Sequence, residues 1–227
     1  MWRAVVSTLV AEGRYHVYFA GGQCGEERWR IEQVDDGYVA TGEQVLMPPH
    51  PLPHRQEYRI ALTPEWRVVS VDIRLSVGSR RLVATHRADG ERWHGHIDVD
   101  GHTREQRGDY PPTCEVETPT HLANTFLLAK RDFALDGEHE FTVLRIGPPL
   151  MAVEPARMLC RCVEIGTFET PLGPVGAKRY VMSLPGEPGG ESYAFWADQH
   201  GVVLESYEGT DETHPWMRLV EYRRPLL

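Results

Sequence analysis

Apolar and polar side chains alternate with a two-residue period along most of this chain, and this feature limits the fold more than any other. Between residues 69 and 75, valine, isoleucine and leucine alternate with serine, aspartate and arginine. The same alternation recurs in residues 15–19, 28–32, 58–62, 93–99, 180–184, 193–197 and 216–222. Successive side chains of a strand point to opposite faces, so each stretch predicts a half-buried β-strand.

Turn residues separate these stretches. Four Asp-Gly pairs are typical of tight hairpins, because glycine adopts positive φ without steric cost. These pairs are Asp36-Gly37, Asp89-Gly90, Asp100-Gly101 and Asp136-Gly137. Parallel pairing would need crossover helices, and connections this short leave no room for them. The pattern therefore predicts an antiparallel meander.

One segment has helical spacing instead. Thr118 is suited to an N-cap and Pro119 to the first helical position, while Leu122 and Phe126 follow on one helical face. We therefore predict a short helix over residues 119–130.

The length and composition fit one domain. All-β sandwiches and barrels reach 227 residues as a single unit, and a hydrophobic content of 41% is enough for a sizeable core. We expect an all-β domain over residues 1–227, a long curved antiparallel meander that forms a half-barrel with one or two short helices.

Charge and hydropathy exclude several partners. A net charge of −9 argues against nucleic acid, which attracts clusters of lysine and arginine. No apolar stretch approaches the ~20 residues of a spanning helix, so no integral membrane association is expected. The short apolar run after Met1 lacks a signal-peptide cleavage site and is interpreted as the first strand. These features predict a cytoplasmic protein.

A histidine-rich strand offers the one candidate for metal chemistry. His94, His96 and Asp98 project from the same face, and imidazole and carboxylate groups are common ligands of zinc, nickel and iron. The opposite face carries Trp93 and Ile97, so the polar face is more simply interpreted as the solvated side of a half-buried strand. No cofactor is expected, and a metal-assisted hydrolase using these three residues is kept as the alternative function.

Four segments and a basic pair resemble a family of proteins described as glycolipid-binding. They are residues 58–75, 88–93, 95–100 and 117–125, followed by Lys130-Arg131. The resemblance covers about the middle third of the chain, which departs from the family by extra residues between Asp100 and Thr118. That family is similar to the lipoprotein-carrier half-barrels, so the resemblance implies a curved antiparallel sheet wrapped around a lipid.

These observations favour a binding module that catalyses no reaction. We expect it to hold a lipid or another elongated apolar molecule in the concave face of the half-barrel. The candidate ligand-binding residues are apolar and inward-facing: Trp29, Val69, Val71, Ile73, Trp93, Ile97 and Phe126. A third hypothesis is a packed scaffold that mainly self-associates, for example as a homodimer through a sheet edge.

Overall fold

The computed structural model of the chain describes residues 7–147, 150–184, 192–209 and 214–225. Within these ranges it contains fifteen strands and one short helix, which confirms the all-β prediction. The expected start of the first strand at residues 1–6 lies outside the described residues. The strands are β1 (Thr8–Phe19), β2 (Gly22–Val34), β3 (Gly37–Leu46), β4 (His54–Leu62), β5 (Val68–Val77), β6 (Arg80–Asp89), β7 (Arg92–Val99), β8 (His102–Asp109), β9 (Glu115–Glu117), β10 (Glu138–Gly147), β11 (Ala152–Thr170), β12 (Gly173–Ser183), β13 (Ser192–Asp198), β14 (Val203–Glu208) and β15 (Pro215–Arg223).

All fifteen strands belong to one sheet made of two meanders. The first meander runs from β1 to β8 and the second from β15 back to β10, and the two join where β1 pairs with β15. Every pairing is antiparallel except that of β9 with β10. The antiparallel meander is therefore confirmed, with one short parallel strand at an edge.

Three of the four Asp-Gly pairs lie at hairpin turns. Gly37, Gly90 and Gly101 have φ values of 139°, 59° and 87° and connect successive strands. The fourth pair was expected in a hairpin, but it lies in the turn that leads into β10, where the amide of Gly137 donates to the carbonyl of Ala134. That prediction was wrong because the chain before this pair is not a strand.

The sheet curls until its two halves touch. The Nε2 of His86 on β6 lies 3.1 Å from the carbonyl oxygen of Met151, in the turn between β10 and β11. The amide of Val153 donates to the Oε1 of Gln106 on β8 at 2.9 Å. These two contacts form a seam between the first and second meanders, and the result is a barrel-like domain with a concave inner face.

The helix is shorter than predicted. Helix α1 spans Leu122–Leu128, whereas the sequence suggested residues 119–130 with Thr118 as the N-cap. The hydroxyl of Thr120 and the amide of His121 instead bind the carboxylate of Glu27 on β2. The Thr120 hydroxyl also accepts from the amide of Leu122 at 3.2 Å, and His121 is already in the helical region (φ −64°, ψ −15°), so the helix starts from Thr120 rather than from Thr118.

The inner faces of both meanders and the helix share one hydrophobic core. A second, separate cluster contains only Val17, Cys24 and Leu46. All four cysteines are buried free thiols. Within the described part of the chain, no helix has the length and apolar character needed to cross a bilayer.

Edge strand β8 is mostly exposed and carries charged side chains on a short length. Charged residues on an edge oppose pairing with a second sheet. A homodimer through a sheet edge stays a prediction. The charged side chains of β8 disfavour its formation through this particular edge.

Candidate functional site

A segment outside the main meander covers the concave face. This cover segment, residues 110–133, contains β9 and α1, and its buried side chains belong to the same core as the inner face of the sheet. Hydrogen bonds tie it to the strands beneath it. They include Tyr110 Oη to Val68 O at 3.0 Å, Gln56 Nε2 to Pro119 O at 2.7 Å, Tyr193 Oη to Asn124 Oδ1 at 3.1 Å and Lys178 Nζ to Phe133 O at 2.8 Å.

Ion pairs within the cover segment join its two ends. Lys130 and Arg131 both pair with the carboxylate of Glu115, the arginine at 2.6 Å. All three side chains are largely shielded from solvent, so this interaction is stronger than an exposed surface pair. The basic pair singled out in the sequence therefore fixes the end of α1 against β9.

Three of the predicted ligand-binding residues share one row across the sheet. Trp29, Ile73 and Ile97 lie in the row of paired residues that runs from β2 to β7. Val71 and Trp93 lie on the same face and are almost completely buried. The structure thus brings these five side chains together on the concave side of the first meander.

Val69 does not lie with this group. A β-bulge between β4 and β5 pairs Leu62 with Val68 and Ala61 with Ser70, so Val69 is the extra residue and has no direct partner. Val68 occupies the core in its place at 2% exposure, while Val69 is only half-buried. A bulge shifts the inward and outward positions by one residue, which strict alternation could not predict.

The concave face is filled by side chains. Phe126 of α1 packs against Trp66, with ring centroids 6.4 Å apart, and Trp66 in turn stacks on Tyr38 at 4.2 Å. A cleft between α1 and the second meander has a volume of about 20 Å³, which is enough for about one water molecule. In this conformation the cover segment occupies the place in which the sequence suggested a ligand.

Polar side chains interrupt the apolar inner face at one end of the half-barrel. Glu27, Gln44 and Gln56 lie directly opposite one another on β2, β3 and β4. All three face inward and are almost completely buried, with exposures of 0%, 6% and 1%. We call these three residues the polar row.

The carboxylate of Glu27 is the centre of this network and accepts four hydrogen bonds. Its Oε1 accepts from the hydroxyls of Tyr58, at 2.7 Å, and Thr120. Its Oε2 accepts from the Nε2 of Gln44 at 3.2 Å and from the amide of His121 at 3.3 Å. Four donors and no acceptor around a carboxyl group fit its ionised form.

Gly42 allows the bond from Tyr58 to Glu27 to form. A Cβ atom at Gly42 would lie 2.2 Å from the Tyr58 hydroxyl, which crosses the strand at this position. Only a residue without a side chain leaves the phenol room to reach Glu27.

Several buried polar atoms near Glu27 lack a hydrogen-bond partner among the described residues. They include the hydroxyl of Tyr15 and the indole Nε1 of Trp29, whose rings stack with centroids 5.8 Å apart. The imidazole of His121 lies edge-on to Tyr15 at 5.7 Å, and its Nε2 is 3.6 Å from the Glu27 carboxylate. The structure therefore gathers unsatisfied polar groups and aromatic rings around one buried charge.

Burial changes the proton affinity of these groups. It raises the pKa of Tyr15 and of Tyr58 well above the ordinary value for tyrosine, and the negative charge of Glu27 adds to both shifts. Burial also lowers the pKa of His121, while Glu27 acts in the opposite direction. At neutral pH the tyrosines are thus hydrogen-bond donors, and burial favours the neutral imidazole at His121.

Comparison with known proteins identifies related folds. No family model matches the chain, and no curated protein matches it. Solved structures of low sequence identity are similar to it, among them the following two. A DUF1089 family protein from Pseudomonas aeruginosa aligns with a TM-score of 0.53 at 17% identity, over 78% of this chain and 87% of that one. A β-barrel-like protein of the domain of unknown function DUF1849 from Brucella abortus aligns with a TM-score of 0.57 at 8% identity, over 96% and 98%.

This chain shares a β-barrel-like fold. At such identities the likeness shows the fold alone, and neither neighbour's printed description names a ligand. The expected relation to glycolipid-binding proteins and lipoprotein carriers therefore stays an expectation, while the barrel-like architecture it implied is present.

The predicted metal-binding face is a solvated outer surface. His94 and His96 on β7 are exposed, and Asp98 is bound through its Oδ1 by the amide of Gly101 at 2.9 Å. Across the described ranges, no group of three histidine, cysteine, aspartate or glutamate side chains is arranged to hold a metal ion. The metal-assisted hydrolase therefore gains no support from this strand.

Proposed function

We propose that the domain binds a lipid or another elongated apolar molecule in the concave face of its half-barrel and catalyses no reaction. The observation that supports this proposal is the kind of element that covers the face. A single seven-residue helix and its flanking turns lie over part of the concave face, where Phe126 packs against Trp66 and Tyr110 packs against Trp93. A helix this short is not stable by itself, so it depends on packing that a ligand can replace.

The free energy needed to displace the cover segment sets the minimum size of the ligand. Exposing Leu122, Phe126 and Leu127 would cost roughly 2 kcal/mol each, or about 6 kcal/mol together. Micromolar affinity requires a net gain of about 8 kcal/mol, and each buried methylene contributes ~0.8 kcal/mol. A ligand that displaces the helix must therefore bury about 18 methylene groups for micromolar affinity, and a sixteen-carbon chain should bind roughly 10-fold more weakly.

The experiment weakens the cover without changing the sheet. Phe126 is 2% exposed and packs from α1 onto Trp66, so Phe126→Ala removes an apolar side chain that the ligand must displace. We expect this variant to bind a fluorescent long-chain fatty acid about 10- to 100-fold more tightly than the unchanged protein, as roughly 2 kcal/mol of competing burial is lost.

Leu46→Ala is the matched control. Leu46 is 6% exposed and lies in the separate cluster with Val17 and Cys24. Its truncation should destabilise the fold by about 2–5 kcal/mol, comparable to Phe126→Ala, and leave probe binding unchanged. If neither the unchanged protein nor Phe126→Ala binds the probe, the proposed function is refuted.

A further inference from the structure

Building on the proposed function, we propose that the ligand is an amphiphile with a cationic ammonium headgroup, bound beside Glu27 in place of Thr120 and His121. The polar row supplies the headgroup position, and the apolar row that contains Trp29 supplies the position of the chain. Residues 118–121 are then an internal competitor that occupies the headgroup position when no ligand is bound.

The charge of Glu27 is the first argument. Its side chain is completely buried, and among the described residues it has no lysine or arginine partner. Tyr58, Thr120 and Gln44 are all neutral donors, and so is the amide of His121. A buried charge without an opposite charge costs several kcal/mol, so this position favours a cation over a neutral or an anionic group.

The aromatic rings are the second argument. Tyr15 and Trp29 lie side by side next to Glu27 with ring centroids 5.8 Å apart, and Trp29 also approaches Tyr222 at 6.2 Å. These rings stay in place when residues 118–121 move. Aromatic faces attract cations through the ring quadrupole, and they do so more strongly in a desolvated place. A carboxylate combined with aromatic walls is the chemistry that recognises an organic ammonium group.

Two unsatisfied donors mark a place for a ligand beside Glu27 but do not select its charge, because an ammonium group accepts no hydrogen bond. The Tyr15 hydroxyl and the Trp29 indole nitrogen are buried without partners in the described part of the chain. Buried polar atoms normally find a partner, and those that do not often mark a place for a ligand or a water molecule. Both residues adjoin Glu27, since Tyr15 pairs with it across β1 and β2 and Trp29 follows two positions later on the same face.

The headgroup position lies near the surface. The side chain of His121 is 11% exposed, and the neighbouring Trp216, with a ring centroid 5.3 Å away, is 42% exposed. Movement of residues 118–121 would therefore open a short path from solvent to Glu27. The ligand chain would then follow the apolar row away from this end.

The test compares three amphiphiles with the same sixteen-carbon chain: hexadecyltrimethylammonium, palmitate and hexadecyl maltoside. Calorimetric titrations below the self-association concentration of each compound would measure their affinities for the unchanged protein. We expect the ammonium compound to bind at least about 10-fold more tightly than the other two, the gain from placing a cation beside Glu27 and desolvated aromatic rings.

Two variants test the mechanism. Glu27→Gln should reduce the affinity for the ammonium compound to that for the maltoside. Thr120→Val keeps the shape of the side chain but removes the competing hydroxyl, so it should increase ammonium affinity. Leu46→Ala, in the separate cluster, should preserve the order of the three affinities. Circular dichroism of each variant would establish that it folds.

The outcomes separate the two proposals. Binding of none of the three compounds would refute the proposed function together with this inference. Equal binding of all three, or tightest binding of the maltoside or palmitate, would refute the cationic headgroup and leave apolar binding standing. If Glu27→Gln fails to fold, the order of affinities in the unchanged protein and the ammonium affinity of Thr120→Val still test whether the headgroup is cationic.

Discussion

Acidification should weaken the seam of the half-barrel at His86. This histidine is completely buried, its ring stacks on Trp93 with centroids 6.0 Å apart, and its Nε2–H donates to the carbonyl of Met151. Its Nδ1 has no partner among the described residues. A second proton on the ring would therefore be buried without an acceptor.

The size of the effect follows from proton linkage. Burial lowers the pKa of His86 to about 4; the charge of Arg87 lowers it further, while the bond to Met151 and the charge of Asp72 act in the opposite direction. The unfolded chain, with a histidine pKa of about 6.5, binds more protons than the folded chain between these two values. The stabilisation is thus nearly complete above pH ~6.5 and is lost as the pH falls toward 4, by about 1 kcal/mol at pH ~5.5 and about 2–3 kcal/mol at pH ~4.5.

Urea unfolding at about pH 7.5, 5.5 and 4.5 would measure this loss, with His86→Gln as the comparison, because glutamine keeps a donor and does not titrate. Burial also lowers the pKa of His54 and of His121, so the unchanged protein will show a larger total loss than His86 alone produces. The difference between the two proteins isolates His86. If both lose stability in parallel across this range, His86 does not titrate as the structure implies.

Two further predictions concern the sheet itself. A Cβ atom at Gly95 would lie 2.7 Å from the Nδ1 of His86. Gly95→Ala should therefore destabilise the protein by about 1–3 kcal/mol in thermal or urea unfolding. At Gly108 on β8 a Cβ atom would meet nothing within 4 Å, so Gly108→Ala should change the free energy of unfolding by less than about 0.5 kcal/mol. Equal effects would contradict the packing described around His86. Replacing the exposed His94 and His96 together by alanine should change the free energy of unfolding by less than about 1 kcal/mol and release no bound metal detectable by elemental analysis. Loss of a stoichiometric metal would instead revive the hydrolase alternative.

The predictable part of this fold is the part governed by strand periodicity. Alternation placed Trp29, Val71, Ile73, Trp93 and Ile97 on one inner face, and all five are buried there. It failed at Val69, since a bulge depends on how two neighbouring strands fit together and leaves no mark on the alternation of one strand. The pairing of β1 with β15 could not be predicted from the sequence either, because periodicity carries no information about contacts between strands that are far apart along the chain.

The polar row did leave a signal in the sequence. Glu27 is in phase with Trp29 and Ile31, and Gln56 is in phase with Tyr58 and Ile60, so both occupy positions that the alternation assigns to the core. A polar residue at an apolar position of a strand suggests a buried hydrogen-bond network. What the sequence could not supply is the partner, because Thr120 is 93 residues away from Glu27 along the chain.

The start of the helix shows which interaction prevails when two compete. Thr118 and Pro119 have the residue types of a helix start, and an N-cap is worth about 1 kcal/mol. Glu27 carries a buried charge, and leaving it without donors would cost several kcal/mol. The contact with Glu27 is the one present: Thr120 and the amide of His121 bind the carboxylate, and the Thr120 hydroxyl also accepts from the amide of Leu122, where α1 begins. In the proposed binding mode, a group that displaces residues 118–121 must satisfy Glu27 at least as well as they do, so the charge of the proposed headgroup is the variable that the three-amphiphile titration tests.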